Sequence, residues 1–281
     1  MKYYYKPLLA FLVFMMAQIL VSSVGMVVMI LFHPKFMRFT ESIHNIQQKI
    51  LTSSFLSTTL IISIILTIAL LYLLKIIRLP KAFDFRNLTF TSSIIAITAA
   101  ILGIFATNIL SEFLHLPDIV GGKLTGMAAS PIGFFAISIA GPLCEELVFR
   151  EGILGYSLRK GAHPWQAIVF SSLLFGLAHM NPAQVPFAFL IGLILGYIYL
   201  RTGNIVLSSI IHIINNSMSC ILENILGKGA SEFTFTHLLG GPVVSMIVLV
   251  VCTGASLQLL YCFQKKTANI NIPQDNSEKY L

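Results

Sequence analysis

Eight apolar runs, most of them longer than a soluble core helix needs, govern what this chain can fold into. They extend over Leu8 to Phe32, Phe55 to Ile77, Leu88 to Leu110, Pro131 to Leu154, Trp165 to Met180, Gln184 to Leu200, Ile205 to Ile225 and His237 to Phe263. A membrane-crossing helix takes roughly 17–25 such residues. Apolar residues make up 56% of the chain, charged ones only 10%, and the mean hydropathy is +0.86. The expected fold is therefore all-α, a polytopic transmembrane bundle of about eight membrane-spanning helices. Lys2 and Lys6 precede the first run as they would in a signal peptide. That run continues well past the roughly 7–15 residues of a signal h-region, so it is expected as a retained helix.

Loop charges orient the bundle. With a cytoplasmic N-terminus, the inner segments hold twelve cations: Lys2, Lys6, Lys75, Arg78, Lys81, Arg86, Arg159, Lys160, Arg201, Lys265, Lys266 and Lys279. The outer segments hold five: Lys35, Arg38, Lys49, Lys123 and Lys228. This bias favours both termini inside, on the cytoplasmic face of the membrane. The net charge of +7 follows from loop lysines and arginines facing anionic lipid. No basic stripe suggests a nucleic-acid partner. Cys144, Cys220, Cys252 and Cys262 lie in or at the ends of apolar runs without CxxC spacing, which supports neither a disulfide framework nor a zinc-cysteine site. Cys144, beside Glu145, reads as a small apolar filler.

The chain divides by character. Residues 1–87 are two apolar helices and basic loops with no ionisable group inside either span, a scaffold or a contact surface for a membrane-protein partner. Residues 88–127 are a third helix and an outer loop. Residues 128–225 form a compact helical block that holds nearly all the intramembrane polar groups. Residues 226–263 supply the last helix, and 264–281 a polar cytoplasmic tail.

Within the block, Glu145 and Glu146 sit inside a span, where ionisable groups are costly and usually functional. Arg150, four residues beyond Glu146, shares its helix face and is expected to neutralise it. Glu145 is rotated by about 100° and is left free to face a cavity. Phe175 and His179 also lie four apart, just ahead of an Asn181-Pro182 break, and His212 and Asn216 repeat the spacing on a third helix. Asn215 is adjacent and turned away, and its help is not excluded. An intramembrane histidine alone is as readily an interhelical hydrogen bond.

Three motifs in this order, Glu145-Glu146-Leu147-Val148-Phe149-Arg150, Phe175-Gly176-Leu177-Ala178-His179 and His212-Ile213-Ile214-Asn215-Asn216, match EExxxR, FxxxH and HxxxN. The block resembles the CPBP family of intramembrane proteases (CAAX proteases and bacteriocin-processing proteins, also called Abi), and looks most like a bacterial member. The resemblance implies an intramembrane endopeptidase acting on a membrane-anchored protein or peptide, whether CAAX-type, pheromone or bacteriocin-related. It implies Glu145 as the general base that activates water with His179, His212 and Asn216 as oxyanion donors, and Glu146, Arg150 and Phe175 as supports.

The family is often described as metalloproteases, and Glu145, His179 and His212 would be the ligands of a divalent metal such as zinc. A metal-free glutamate mechanism is equally compatible, since no HExxH is present. Counting residues at about 1.5 Å each places His179 deeper than His212, so irregular packing must level them. Two other classes remain open: a noncatalytic membrane regulator or bacteriocin-immunity partner, and a proton-coupled transporter with a Gly-rich broken helix at Ile191 to Gly196.

Overall fold

The computed structural model describes residues 3–32, 46–85, 88–119, 125–226 and 234–267. Parts of the first outer loop, Arg86, Lys123, Lys228 and the tail from residue 268 lie outside them. Among the described residues the fold is all-helical, with no strands. Seven helices are long and apolar enough to cross a membrane: α1 (Tyr5–Phe32), α2 (Ile46–Leu73), α3 (Phe90–Leu114), α4 (Pro131–Arg159), α6 (Val185–Thr202), α7 (Val206–Leu226) and α8 (Pro242–Lys266). The eighth, α5 (Pro164–Ala178), has 15 residues and spans about 22 Å, short of a hydrocarbon core of roughly 30 Å. The protein is an integral membrane protein by this measure.

Local chemistry sets the helix ends. Thr89 caps α3 in a reciprocal capping box with Ser92, and Ser130 caps α4 ahead of Pro131. Pro164 and Pro242 open α5 and α8, where a missing N–H costs nothing. Gly203 ends α6 in the left-handed conformation that a Cβ would strain. Two expected boundaries move. The second run ends at Leu73, because Lys75 takes a positive φ, and the last span starts at Pro242 after a separate turn at Phe235–Leu238 that holds His237. Lys49, expected in a loop, belongs to the first turn of α2.

α4 is one continuous helix with two widened, i→i+5 bonded stretches, Ala136–Ala140 and Glu146–Gly155. The first precedes Pro142, whose ring cannot accommodate the carbonyl four residues back and which donates no N–H; the Gly141 N–H bonds the Ala136 carbonyl instead. The second begins at the motif glutamate, and such insertions gather at functional sites. Arg159, counted above with the loop cations, lies instead in the last turn of α4 and is buried.

The N-terminal helices buttress α4. Phe14 of α1 meets Phe149 edge-on at 5.5 Å, and Phe149 meets Phe175 of α5 at 5.2 Å. Helices α5 and α6 approach closely because glycines face their partner: a Cβ on Gly176 would lie 2.8 Å from the Val185 carbonyl oxygen, and one on Gly192 3.0 Å from Ser172 Cβ. The Ile191 to Gly196 segment, expected as a broken helix on the transporter reading, is an unbroken part of α6. Gly192→Leu is expected to cost about 1–3 kcal/mol by forcing α5 and α6 apart. Gly254 on α8 has open space around it, so Gly254→Leu should leave the thermal midpoint unchanged. Thermal unfolding in detergent compares the two.

Candidate active site

The three motifs converge around one aromatic ring. His179 and His212 both stand edge-on to Phe175, at 5.1 and 5.5 Å, and the Arg150 guanidinium lies over the same ring at 4.5 Å. Phe175 is almost wholly buried and separates the two imidazoles as a wall. Its cation–π contact with Arg150 compensates a guanidinium that has no hydrogen-bond partner of good geometry among the described residues.

The Glu146 carboxylate is fully buried and lies 3.3 Å from Arg150 Nε, the i,i+4 pairing anticipated from the sequence. Its other oxygen accepts from His212 Nδ1 at 3.1 Å. On the far side of the ring, His212 Nε2 faces Glu145 Oε2 at 3.5 Å. One imidazole is thus bracketed by two adjacent carboxylates, an arrangement no spacing argument foresaw. A quarter of the Glu145 side chain is exposed, against none of Glu146, so the two acids differ in access as the sequence suggested.

His179 caps the C-terminus of α5, ahead of a left-handed Met180 and the buried Asn181, whose carbonyl accepts from Gln184 and Val185 to start the next helix. His179 Nδ1 lies 2.9 Å from the Phe175 carbonyl oxygen. A carbonyl can only accept, so Nδ1 donates, which directs Nε2 away from that bond and leaves it for a ligand. Asn216 donates one amide N–H to the Ile137 carbonyl in the first widened stretch of α4, at 3.2 Å, and its own carbonyl accepts from Asn215. Asn215 therefore holds Asn216. An amide nitrogen has two hydrogens, so one remains for a ligand.

Glu145, His179 and His212 are not gathered into one group of three donors. Among the described residues no three His, Cys, Asp or Glu side chains form a metal-binding group. His212 directs Nδ1 at Glu146 and Nε2 at Glu145.

A second buried ionic cluster lies farther along α4 and was not singled out in the sequence. Glu151 accepts from Arg159 at 2.9 Å, from Arg78 at 3.2 Å and from the Tyr199 hydroxyl at 2.6 Å. Arg159 also donates to the Ile76 carbonyl at 3.1 Å. The available signal was a third acid inside an apolar run, directly after Arg150.

Residues 127–218 match the family of type II CAAX prenyl endopeptidases, Rce1-like. The chain carries a domain of the Rce1-like CAAX protease family. This domain contains Glu145, Glu146, Arg150, Phe175, His179, His212 and Asn216, while α1, α2, α3 and α8 lie outside it. The chain is similar to the membrane-embedded CAAX protease MroQ of Staphylococcus aureus, 37% identical over 98 residues, which are 33% of this chain and 40% of that protein. It is 28% identical over 95 residues to the putative membrane peptidase YdiL of Bacillus subtilis, covering 34% of this chain and 38% of the relative. It is 29% identical over 142 residues to CAAX prenyl protease 2 of Arabidopsis thaliana, covering 43% and 45%. Each match spans less than half the length of the curated relative. No solved structure matches the chain. The Rce1-like domain coincides with the motif-bearing core.

Proposed function

We propose that the protein is an intramembrane endopeptidase that hydrolyses a peptide bond in a membrane-anchored protein or peptide, with Glu145 as general base. The observation that carries this reading is the partly exposed Glu145 side chain, whose buried Oε2 faces His212, a ring itself held by the buried Glu146–Arg150 pair. Glu145 takes one proton of a water whose oxygen adds to the scissile carbonyl, and His179 Nε2 accepts a hydrogen bond from that water. The protonated Glu145 then gives the proton to the amide nitrogen as the C–N bond breaks and the oxyanion collapses to a carboxyl group. His212 Nε2 and the remaining amide hydrogen of Asn216 donate to the oxyanion that forms, contacts worth about 3–4 kcal/mol each in a preorganised site. For His212 to donate from Nε2 while Nδ1 donates to Glu146, the ring must carry both protons. The charges of Glu145, Glu146, Arg150 and His212 then sum to zero, which is the affordable state for four ionisable groups inside a membrane.

The similar proteins support proteolysis; two of them are bacterial, which supports a bacterial cytoplasmic membrane, and the loop charges support both termini inside. The test compares membrane proteomes and released peptides from cells carrying wild type, Glu145→Ala and no protein, with abundance checked by immunoblot. A new terminus or peptide seen only with wild type establishes proteolysis and names the substrate. Identical products from all three strains identify the protein as a noncatalytic membrane partner instead.

This reaction needs no metal ion. Cleavage by purified protein is expected to be unchanged after dialysis against a strong chelator. A loss of cleavage that zinc restores would overturn that expectation.

A further inference from the structure

A second candidate binding site lies away from the motifs. Helices α3, α6 and α8 enclose an apolar groove of about 510 Å³ whose walls include Gly103 and Ala106 of α3, Ile194 of α6 and Leu257 of α8. None of the candidate catalytic residues lines it. Along α8 it runs from Leu249 to Gln264, roughly 22 Å at the rise of a helix, which is more than one leaflet of a hydrocarbon core about 30 Å thick. It opens sideways, since Leu257, Tyr261 and Trp165 on its wall are exposed by 63, 51 and 56%.

The mouth of the groove differs in chemistry from its walls. Trp165 stacks on Tyr197 at 5.8 Å, and the Tyr197 hydroxyl donates to Gln264 Oε1 at 3.1 Å. Arg201 is fixed beside them by donating to Thr267 Oγ1 at 3.1 Å and to the Gln264 carbonyl at 3.0 Å. The Lys265 ammonium lies over the Tyr261 ring at 4.5 Å, with Lys266 next in the chain. Among the described residues no acidic side chain is paired with Arg201, Lys265 or Lys266. An apolar groove longer than one leaflet thus ends in an aromatic rim and three cations without acidic partners.

We propose that this groove is a binding site for an anionic phospholipid, with an acyl chain along α3, α6 and α8 and the phosphate at Arg201, Lys265 and Lys266. Aromatic rings take the level of the headgroups, and basic pockets between membrane helices bind anionic lipid. A zwitterionic lipid would fill the groove and leave the cations uncompensated.

The chain provides its own probe, because Trp165 is its only tryptophan. Full-length protein in phosphatidylcholine vesicles is titrated with brominated phosphatidylglycerol or brominated phosphatidylcholine, and quenching of Trp165 is followed. Phosphatidylglycerol should reach half-maximal quenching at about fivefold lower mole fraction, the preference that one basic residue's attraction to an anionic lipid provides. The preference should shrink in high salt and vanish in the triple variant Arg201→Gln, Lys265→Gln, Lys266→Gln. Thr253→Phe, which fills the groove, should weaken quenching by both lipids. Equal quenching of the wild-type protein by the two lipids would overturn the proposal, as would a preference that survives the triple substitution. Neither result depends on whether the protein cleaves anything.

Discussion

Replacing Glu145 with glutamine is expected to lower cleavage by about 10²–10⁴-fold while leaving thermal unfolding unchanged. The amide keeps the size of the side chain and loses only its capacity to take a proton. The Glu145 side chain is one-quarter exposed and its buried Oε2 has no hydrogen-bond partner among the described residues, so the exchange breaks no hydrogen bond that holds the fold. Glu146→Gln should behave differently. That carboxylate is fully buried between Arg150 and His212, and neutralising it leaves a buried guanidinium without its counter-charge, a loss on the order of 3–5 kcal/mol. Activity and the thermal midpoint should then fall together. The pair of variants separates chemistry from support: undiminished cleavage by a folded Glu145→Gln protein removes Glu145 from the reaction.

The helical bundle was legible because a membrane demands long apolar runs, and a run of that length has few alternatives. The pairing of Glu146 with Arg150 was legible for a similar reason, since four residues on one helix is a local relation. Other contacts were not local. His212 reaches both glutamates from a helix more than sixty residues away, and only the packing of α7 against α4 brings it there. Asn215 seemed turned away from Asn216 by helical rotation, yet its flexible amide reaches the neighbouring carbonyl. Arg159 looked like a loop cation because Lys160 and Gly161 follow it. Its burial depends on the widened stretch of α4 continuing into a last helical turn. The short α5 explains how His179 joins the site, because the helix ends at Ala178 and places His179 at its C-cap.

The Glu151 cluster should be the strongest structural dependence outside the motifs. Its carboxylate joins three parts of the protein: Arg78 after α2, Arg159 on α4 and Tyr199 on α6. Gly155, one turn on, leaves room for the Tyr199 hydroxyl, where any Cβ would collide. Glu151→Leu is expected to cost on the order of 3–5 kcal/mol, because Arg159 is only 5% exposed and would keep a buried charge without its counter-ion. Arg78 is one-third exposed and can turn to solvent, so it adds little to the loss. Thermal unfolding in detergent should show a drop of about 10 °C. The double variant Glu151→Leu, Arg159→Leu should recover much of it, since removing both charges eliminates the uncompensated one. Tyr199→Phe should cost about 1.5–3 kcal/mol, the scale of a hydrogen bond to a charged group. If the double variant were no more stable than Glu151→Leu alone, the ion pair would not be the source of the loss. The support of α4 would then reside in the packing of Phe149 against Phe14 and Phe175.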